Sequence, residues 1–142
     1  MSPCPVSDCQ LEPTRMGRRL AQHVADMDLF FPMLERLGGL AAADETDSLE
    51  ITAADVRSFA NRGKGMRSAM HDAAHNGALG SYSPLPSLSE LNVWRNQATQ
   101  LTVALGVIDT SWYVDYWTGV FGSGVKLPRA LKSQLRRQGV RV

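Results

Sequence analysis

Apolar residues recur at three- and four-residue spacing along most of this chain, which is the pattern of amphipathic α-helices. The first such stretch follows Thr14 and carries the apolar side chains Met16, Leu20, Val24, Met27, Phe30 and Phe31. A second stretch, with Leu34 and Leu37, is expected to stop at Gly38-Gly39. The pattern therefore predicts two consecutive helices, the second with Pro32 in its first turn, where proline is tolerated.

Capping and breaking signals divide the next part of the chain. Thr52, with Asp55 three residues on, forms a capping box that predicts a helix from about Ala53. Two glycines in Gly63-Lys64-Gly65 weaken this helix, so we expect an interruption there. Asn76-Gly77 is a strong stop and is expected to end it.

A connector rich in Gly, Ser and Pro leads to Ser87 and Ser89, either of which can cap the next helix. Residues 99–108 are also compatible with a buried strand, but the apolar pattern up to Leu105 is too long for one, so we favour helix. Two shorter helices are predicted over the aromatic run 112–117 and in the basic C-terminal segment.

The chain has 142 residues, 44% of them hydrophobic, which is enough to bury a core. We predict an all-α fold: a single compact domain of about five helices over 14–142, preceded by an irregular arm over 1–13.

No apolar run is long enough to span a membrane. The N-terminus lacks a basic region followed by an apolar one, so we expect a cytoplasmic protein, or one secreted without a cleaved signal peptide. Cys4 and Cys9 lie in the arm and do not indicate a compartment.

Charge is segregated although the net charge is only +1. Residues 26–55 hold one base, Arg36, and many acids: Asp26, Asp28, Glu35, Asp44, Glu45, Asp47, Glu50 and Asp55. Residues 126–142 hold bases and no acid. The two blocks either pair within one chain, face a partner, or form a solvated dipolar surface, which is the interpretation we favour. Nucleic-acid binding through 126–142 is an alternative, but such binders usually carry a clearly basic domain.

The segment from Asp44 to Asp55 has the outline of a calcium loop between two helices, with oxygen side chains at alternating positions. The candidate ligands are Asp44, Thr46, Ser48 and Asp55. Position 6 is Leu49 instead of the required glycine, and position 12 is an aspartate instead of a glutamate. We therefore expect a degenerate EF-hand-like helix–loop–helix, with calcium binding as an alternative.

The same segment resembles a known family. Phe30-Phe31-Pro-Met-Leu34-Glu-Arg-Leu37, an acidic loop, and Ile51-Thr52-Ala-Ala-Asp55-Val56 are similar to segments of type III secretion harpins and translocon-associated proteins of plant-interacting bacteria. The resemblance spans residues 28–60 and lacks the Asp-Gly core of those loops. It implies a bacterial, secretion-associated protein that acts by interaction.

His71 and His75 are four residues apart, which is metal-ligand spacing on a helix. The run His71-Asp72-Ala-Ala-His75 resembles the HExxH motif of zinc peptidases, with Asp72 where the general base would stand. Surface or capping histidines are the favoured interpretation, and a small zinc-dependent hydrolase is an alternative. Phosphate-loop and serine-elbow motifs are absent from the sequence.

The run Trp112-Tyr113-Val114-Asp115-Tyr116-Trp117 covers more than half of a helix circumference, so we expect one side of it to lie outside the core. Aromatic and arginine side chains are typical anchors of protein interfaces. The predicted docking residues are Trp112, Tyr116, Trp117, Arg129, Arg136 and Arg137. We predict a non-catalytic protein that docks to a protein partner, as a secretion-associated effector, accessory or inhibitor.

Overall fold

The computed structural model describes residues 14–46, 50–76, 85–123 and 129–137. These residues form helices and no strand, which confirms the all-α prediction. The helices are α1 (Arg15–Asp28), α2 (Phe31–Ala42), α3 (Ala53–Asn76), α4 (Leu88–Ile108), α5 (Thr110–Gly122) and α6 (Arg129–Arg137). The predicted arm, 1–13, and its two cysteines lie outside the described residues.

The sequence signals for helix starts correspond to real caps. The Thr14 hydroxyl accepts a hydrogen bond from the Gly17 amide at 3.0 Å, and the Ser87 hydroxyl accepts one from the Glu90 amide at 3.1 Å. Each bond satisfies an amide that has no partner within its own helix. Helix α4 then continues to Ile108, so the segment 99–108 is helical.

Helix α3 is the longest element and packs against both α1 and α2. It runs without a break through Gly63-Lys64-Gly65, so the predicted interruption is wrong. Each glycine costs a helix about 1 kcal/mol relative to alanine. Burial of Val56, Ala69 and Met70 against the neighbouring helices supplies the compensating free energy.

Trp94 of α4 joins three helices at the centre of the core and is only 1% exposed. Its ring lies parallel to Phe59 of α3, with centroids 5.0 Å apart and planes at 2°. Phe30 meets it edge-on at 5.9 Å, and Phe31 is tilted against it at 5.7 Å. The aromatic ring therefore ties the start of α2 and the middle of α3 to α4.

The glycine at position 63 makes room for this tryptophan. A Cβ atom there would lie 2.2 Å from Cζ2 of Trp94, far inside contact distance. In an α-helix the carbonyl of residue i points towards residue i+4, so the bare backbone of Gly63 also leaves the Phe59 carbonyl accessible. Trp94 Nε1 donates a hydrogen bond to that carbonyl at 3.1 Å.

Part of the acidic block, residues 26–55, forms ion pairs within the chain. Asp28 receives two hydrogen bonds from Arg67 of α3, at 2.9 and 3.0 Å, and Asp26 receives one from Arg95 of α4 at 3.0 Å. The block therefore contributes to packing of α1 on α3 and α4. No ion pair within the described ranges joins it to α6.

None of the helices in the described part of the chain is long and apolar enough to cross a membrane.

We expect Gly63→Ala to destabilise the protein by about 1–3 kcal/mol, because overpacking displaces Trp94 or bends α3. Gly65→Ala is the matched control, since a Cβ atom at Gly65 has no neighbour within 4 Å. That change should stabilise the helix by about 0.5–1 kcal/mol. Urea unfolding of the two variants and the parent measures both effects. Equal stability of the two variants would mean that Gly63 is not a packing requirement.

Candidate functional site

The corner between α4 and α5 consists of one residue, Asp109. Its amide donates to the Leu105 carbonyl at 2.8 Å, and its carbonyl accepts from the Tyr113 amide at 3.0 Å. Asp109 thus ends one helix and begins the next. Its carboxylate accepts a hydrogen bond from Nε of Arg36 on α2 at 2.7 Å. This pair fixes the start of α5 against α2.

Trp112 lies in the first turn of α5 and is partly exposed. Its ring stacks on Tyr116, with centroids 5.3 Å apart and planes at 4°. The Arg36 guanidinium carbon is 5.9 Å from the centre of the Trp112 ring, within cation–π range. We call Arg36, Asp109, Trp112 and Tyr116 the Trp112 cluster.

The Tyr116 hydroxyl anchors the cluster to the end of α1, where it donates a hydrogen bond to the Leu29 carbonyl. Burial, reinforced by the negative charge of Asp28, raises the pKa of Tyr116 to about 12. The hydroxyl therefore keeps its proton, and can donate, throughout the physiological pH range. This hydrogen bond and the stacking hold the two rings in one orientation in the folded chain.

A groove of about 590 Å³ runs beside Trp112, between α5 and α2. Pro32, Gly39 and Leu40 give it an apolar part, and Glu35 and Glu45 line it with carboxylates. Both glutamates are exposed. The site thus combines a held aromatic ring, an arginine and two exposed acidic side chains.

The structure corrects one of the predicted docking residues. Trp117 is 0% exposed and packs against Tyr113, Tyr116 and Phe121, so it is a core residue and no partner can contact it in the folded chain. The physical reason is the orientation of α5, which buries the face that carries Tyr113 and Trp117 and leaves Trp112 at the border.

The predicted docking arginines lie on α6. Arg129, Arg136 and Arg137 are exposed, while Leu135 on the same helix is buried in the core. Within the described ranges these arginines form no ion pair and no hydrogen bond with the Trp112 cluster. The arginine that does meet the aromatic ring is Arg36, which our sequence reasoning missed. Its signal was its position as the one base of the acidic block.

Of the predicted calcium ligands, the structure describes Asp44, Thr46 and Asp55. Thr46 is buried, and its hydroxyl donates to the Ile51 carbonyl at 2.8 Å, which closes the loop on itself. Asp44 is exposed with φ at 59°, and Asp55 is exposed in the first turn of α3. Ser48, like Leu49, lies outside the described residues. The hydroxyl of Thr46, a candidate calcium ligand, is therefore engaged in a hydrogen bond within the loop.

His71 and His75 lie close together on α3, with ring centroids 4.2 Å apart. His75 Nδ1 is 2.7 Å from the His71 carbonyl, so this nitrogen carries the proton and donates it. In the neutral ring Nε2 then carries the lone pair, and this atom is buried without a hydrogen-bond partner in the described structure. Asp72 is exposed, with Oδ1 3.7 Å from His71 Nδ1. No group of three or more His, Cys, Asp and Glu among the described residues is arranged to hold a metal ion.

Comparison with known proteins returned no match: no protein-family model, no curated protein and no solved structure is significantly similar to this chain.

His23 on α1 is partly buried beside Arg95 of α4. The Arg95 side chain lies 3.0 Å from His23 Nδ1, and because an arginine can only donate, Nδ1 accepts. Burial and then the Arg95 charge lower the pKa of His23 below its ordinary value of 6.5, although Asp26 acts in the opposite direction. The folded chain therefore favours neutral His23.

We expect the free energy of unfolding to fall as pH drops below about 6.5, because the unfolded chain then binds a proton at His23 that the folded chain resists. Above that pH both states are neutral at this residue and its contribution is complete. In His23→Gln this component of the pH dependence should disappear. Urea unfolding at several pH values, with NMR titration of the His23 ring, measures both. A ring pKa above 6.5 in the folded protein would contradict the expected direction.

Proposed function

We propose that this protein acts by docking to a protein partner through the Trp112 cluster and the groove beside it. The single observation that supports this most is the pre-ordered state of Trp112, which is partly exposed yet held by Tyr116 and Arg36. A ring that is already ordered loses little conformational entropy on binding, so more of its contact energy remains as affinity. Tryptophan and arginine are the commonest anchors of such interfaces.

The chemistry of the groove favours a partner segment that combines apolar and basic side chains. Glu35 and Glu45 are exposed, and neither forms an ion pair with another described residue. The two carboxylates attract cations and disfavour an acidic segment, which gives selectivity and a faster encounter. The apolar wall of Pro32 and Leu40 receives the remaining side chains.

The biological setting that we propose is the one implied by the resemblance of residues 28–60 to harpin and translocon-associated segments. In that setting the chain is a bacterial, secretion-associated effector, accessory or inhibitor protein. The proposal is supported by the charge segregation and the Trp112 cluster, and it needs no reaction at the site.

Trp112→Ala is expected to weaken partner binding by about 2 kcal/mol, roughly 30-fold, because it removes the anchor of the interface. The measurement is quantitative affinity capture from the source cells, followed by titration of the captured protein against each purified variant. Ser111→Ala, at an exposed residue one position earlier on α5, is the matched control and should bind like the parent. Circular dichroism verifies that both variants are folded.

Arg36→Ala is also expected to weaken binding, as Trp112→Ala does. If Arg136→Ala weakens binding as well, the docking surface extends to α6, as the sequence predicts. The docking proposal fails if Trp112→Ala and Ser111→Ala bind every captured protein equally.

The predicted nucleic-acid binding through residues 126–142 is tested on the same samples, by measuring binding to nucleic acid at rising salt concentration. Such binding weakens steeply with salt.

A second candidate is zinc binding at His71 and His75. The observation that favours it is His75 itself, whose Nδ1–H is fixed on a backbone carbonyl while Nε2 offers a buried lone pair. Zinc-ligating histidines are commonly oriented in this way. Were zinc bound, it would supply Lewis-acid chemistry, and Asp72, whose Oδ1 is 3.7 Å from His71 Nδ1, would be the candidate base.

For this candidate we expect zinc uptake by the parent protein and its loss in His71→Ala and His75→Ala. Elemental analysis of untagged protein purified without chelator, before and after exposure to zinc, is the measurement. A protein that stays metal-free after exposure excludes zinc as a resident ion. Calcium binding by the 44–55 loop is tested in parallel, because a bound ion would raise the melting temperature.

A further inference from the structure

A second groove lies between α2 and α3, beside the groove at Trp112, and has a volume of about 480 Å³. We call it the α2–α3 groove. Apolar side chains form most of its lining, among them Phe31, Leu34 and Val56. On α3 the lining extends from Ala53 to Lys64, a length of roughly 16 Å at the rise of an α-helix. A mostly apolar groove of this volume lies in the size range of sites for small molecules.

Two consecutive glycines in α2, Gly38 and Gly39, line the groove and leave it open. Glycine destabilises the interior of a helix relative to alanine. A Cβ atom at Gly39 would have no neighbour within 4 Å, and one at Gly38 would lie 3.5 Å from Val56 Cγ1, which is an ordinary contact. Alanine therefore fits at both positions, and the packing of the described chain does not account for these glycines. The space that they leave belongs to the groove.

The α3 side of the groove carries a row of polar side chains that can donate hydrogen bonds. Arg57, Asn61 and Lys64 are four and three residues apart, so they lie on one face of α3, and all three are exposed. Neither Arg57 nor Lys64 forms an ion pair with another described residue. Among the described lining residues, Glu35 on α2 supplies the one carboxylate. Two cations and an amide against one carboxylate favour an anionic ligand over a cationic one.

We propose that the α2–α3 groove binds a small amphipathic anion, an unbranched aliphatic carboxylate taken up as a single free molecule. The carboxylate lies at Asn61, between Arg57 and Lys64, where it accepts charge-assisted hydrogen bonds. The hydrocarbon chain follows the groove past Gly38 towards Ala42, which removes apolar surface of the chain and of the lining from water. The inference does not depend on docking at the Trp112 cluster, because the cations that carry it lie on α3.

The groove suits a hydrocarbon chain better than a peptide. Side chains with a polar group occupy four of its lining positions, Glu35, Arg57, Asn61 and Lys64. A peptide laid along the groove would bring an N–H and a C=O group at nearly every residue, and those beyond reach of these four side chains would lose water without gaining a partner. A chain of methylene groups has no such requirement, and one carboxylate is enough to use the polar row.

Isothermal titration calorimetry of the full chain with two probes tests the head group. Decanoate and decyltrimethylammonium carry the same hydrocarbon chain and opposite charges, and both are used below their micelle concentrations. The parent should bind decanoate with a dissociation constant of roughly 0.1 mM, as expected of a ligand this small, and prefer it about tenfold over the cation. In Arg57→Gln/Lys64→Gln this preference should disappear, because both cations of the groove are removed. Arg15→Gln/Arg19→Gln removes two charges from exposed positions on α1 and should keep the preference.

Filling the groove tests where the ligand lies. Ala60→Leu and Ala42→Leu each place a larger side chain in the lining and should weaken decanoate binding about tenfold, because the chain then clashes with the new side chain. Ala54→Leu makes the same change at an exposed position of α3 outside the lining and should bind like the parent. Circular dichroism verifies that all three variants are folded. Trp112→Ala should also bind decanoate like the parent, so failure of this inference is distinct from failure of docking at the Trp112 cluster.

Weaker binding in the two filled variants, together with loss of the head-group preference in Arg57→Gln/Lys64→Gln, supports the proposal. Binding of decanoate by the parent only above the micelle concentration overturns it, since that would be an adventitious surfactant effect. Equal binding of the two probes by the parent overturns it as well. So do filled variants that bind like the parent, because the ligand would then lie on another surface.

Discussion

The contact of Trp94 with Gly63 is the constraint on which the rest of the structure depends. It is the point where α2, α3 and α4 meet, and it combines a stacked Phe59 ring, two further aromatic contacts and a hydrogen bond to the backbone of α3. A ring of this size reaches the Phe59 carbonyl only where the helix has no side chain in the way. The position of α4 across α3 is therefore set by one residue without a Cβ atom.

Once α4 is placed, its C-terminal end determines where the Trp112 cluster lies. The single-residue corner at Asp109 sends α5 back towards α2 and presents a carboxylate to Arg36. Gly106 contributes to the tightness of this corner, since a Cβ atom there would lie 3.2 Å from the Tyr113 ring. Tyr116 then reaches the end of α1, so the Trp112 cluster rests on α1, α2 and α5 together. Its order is a consequence of the core and does not require a ligand.

The local parts of this architecture were predictable, and the long-range parts were not. Thr14 and Ser87 identified helix starts because a cap bonds to an amide only three residues away. Gly63 was misjudged because its partner is Trp94, which the local pattern around residue 63 does not show. Arg36 and Asp109 are separated by 73 positions, and no spacing rule connects them. On α5 the apolar residues cover most of the circumference, so periodicity did not decide between Trp112 and Trp117 as the exposed ring.

The acidic block shows how a single charge pattern can have two physical roles. Asp26 and Asp28 lie in the last turn of α1, where the helix dipole disfavours negative charge. Arg95 and Arg67 offset that cost by direct hydrogen bonds, so these carboxylates belong to the packing of the fold. Glu35 and Glu45 have no such partner among the described residues and stay in solvent beside Trp112. Any electrostatic selectivity of the site must therefore come from α2 and the residues just after it, and not from the acidic block as a whole.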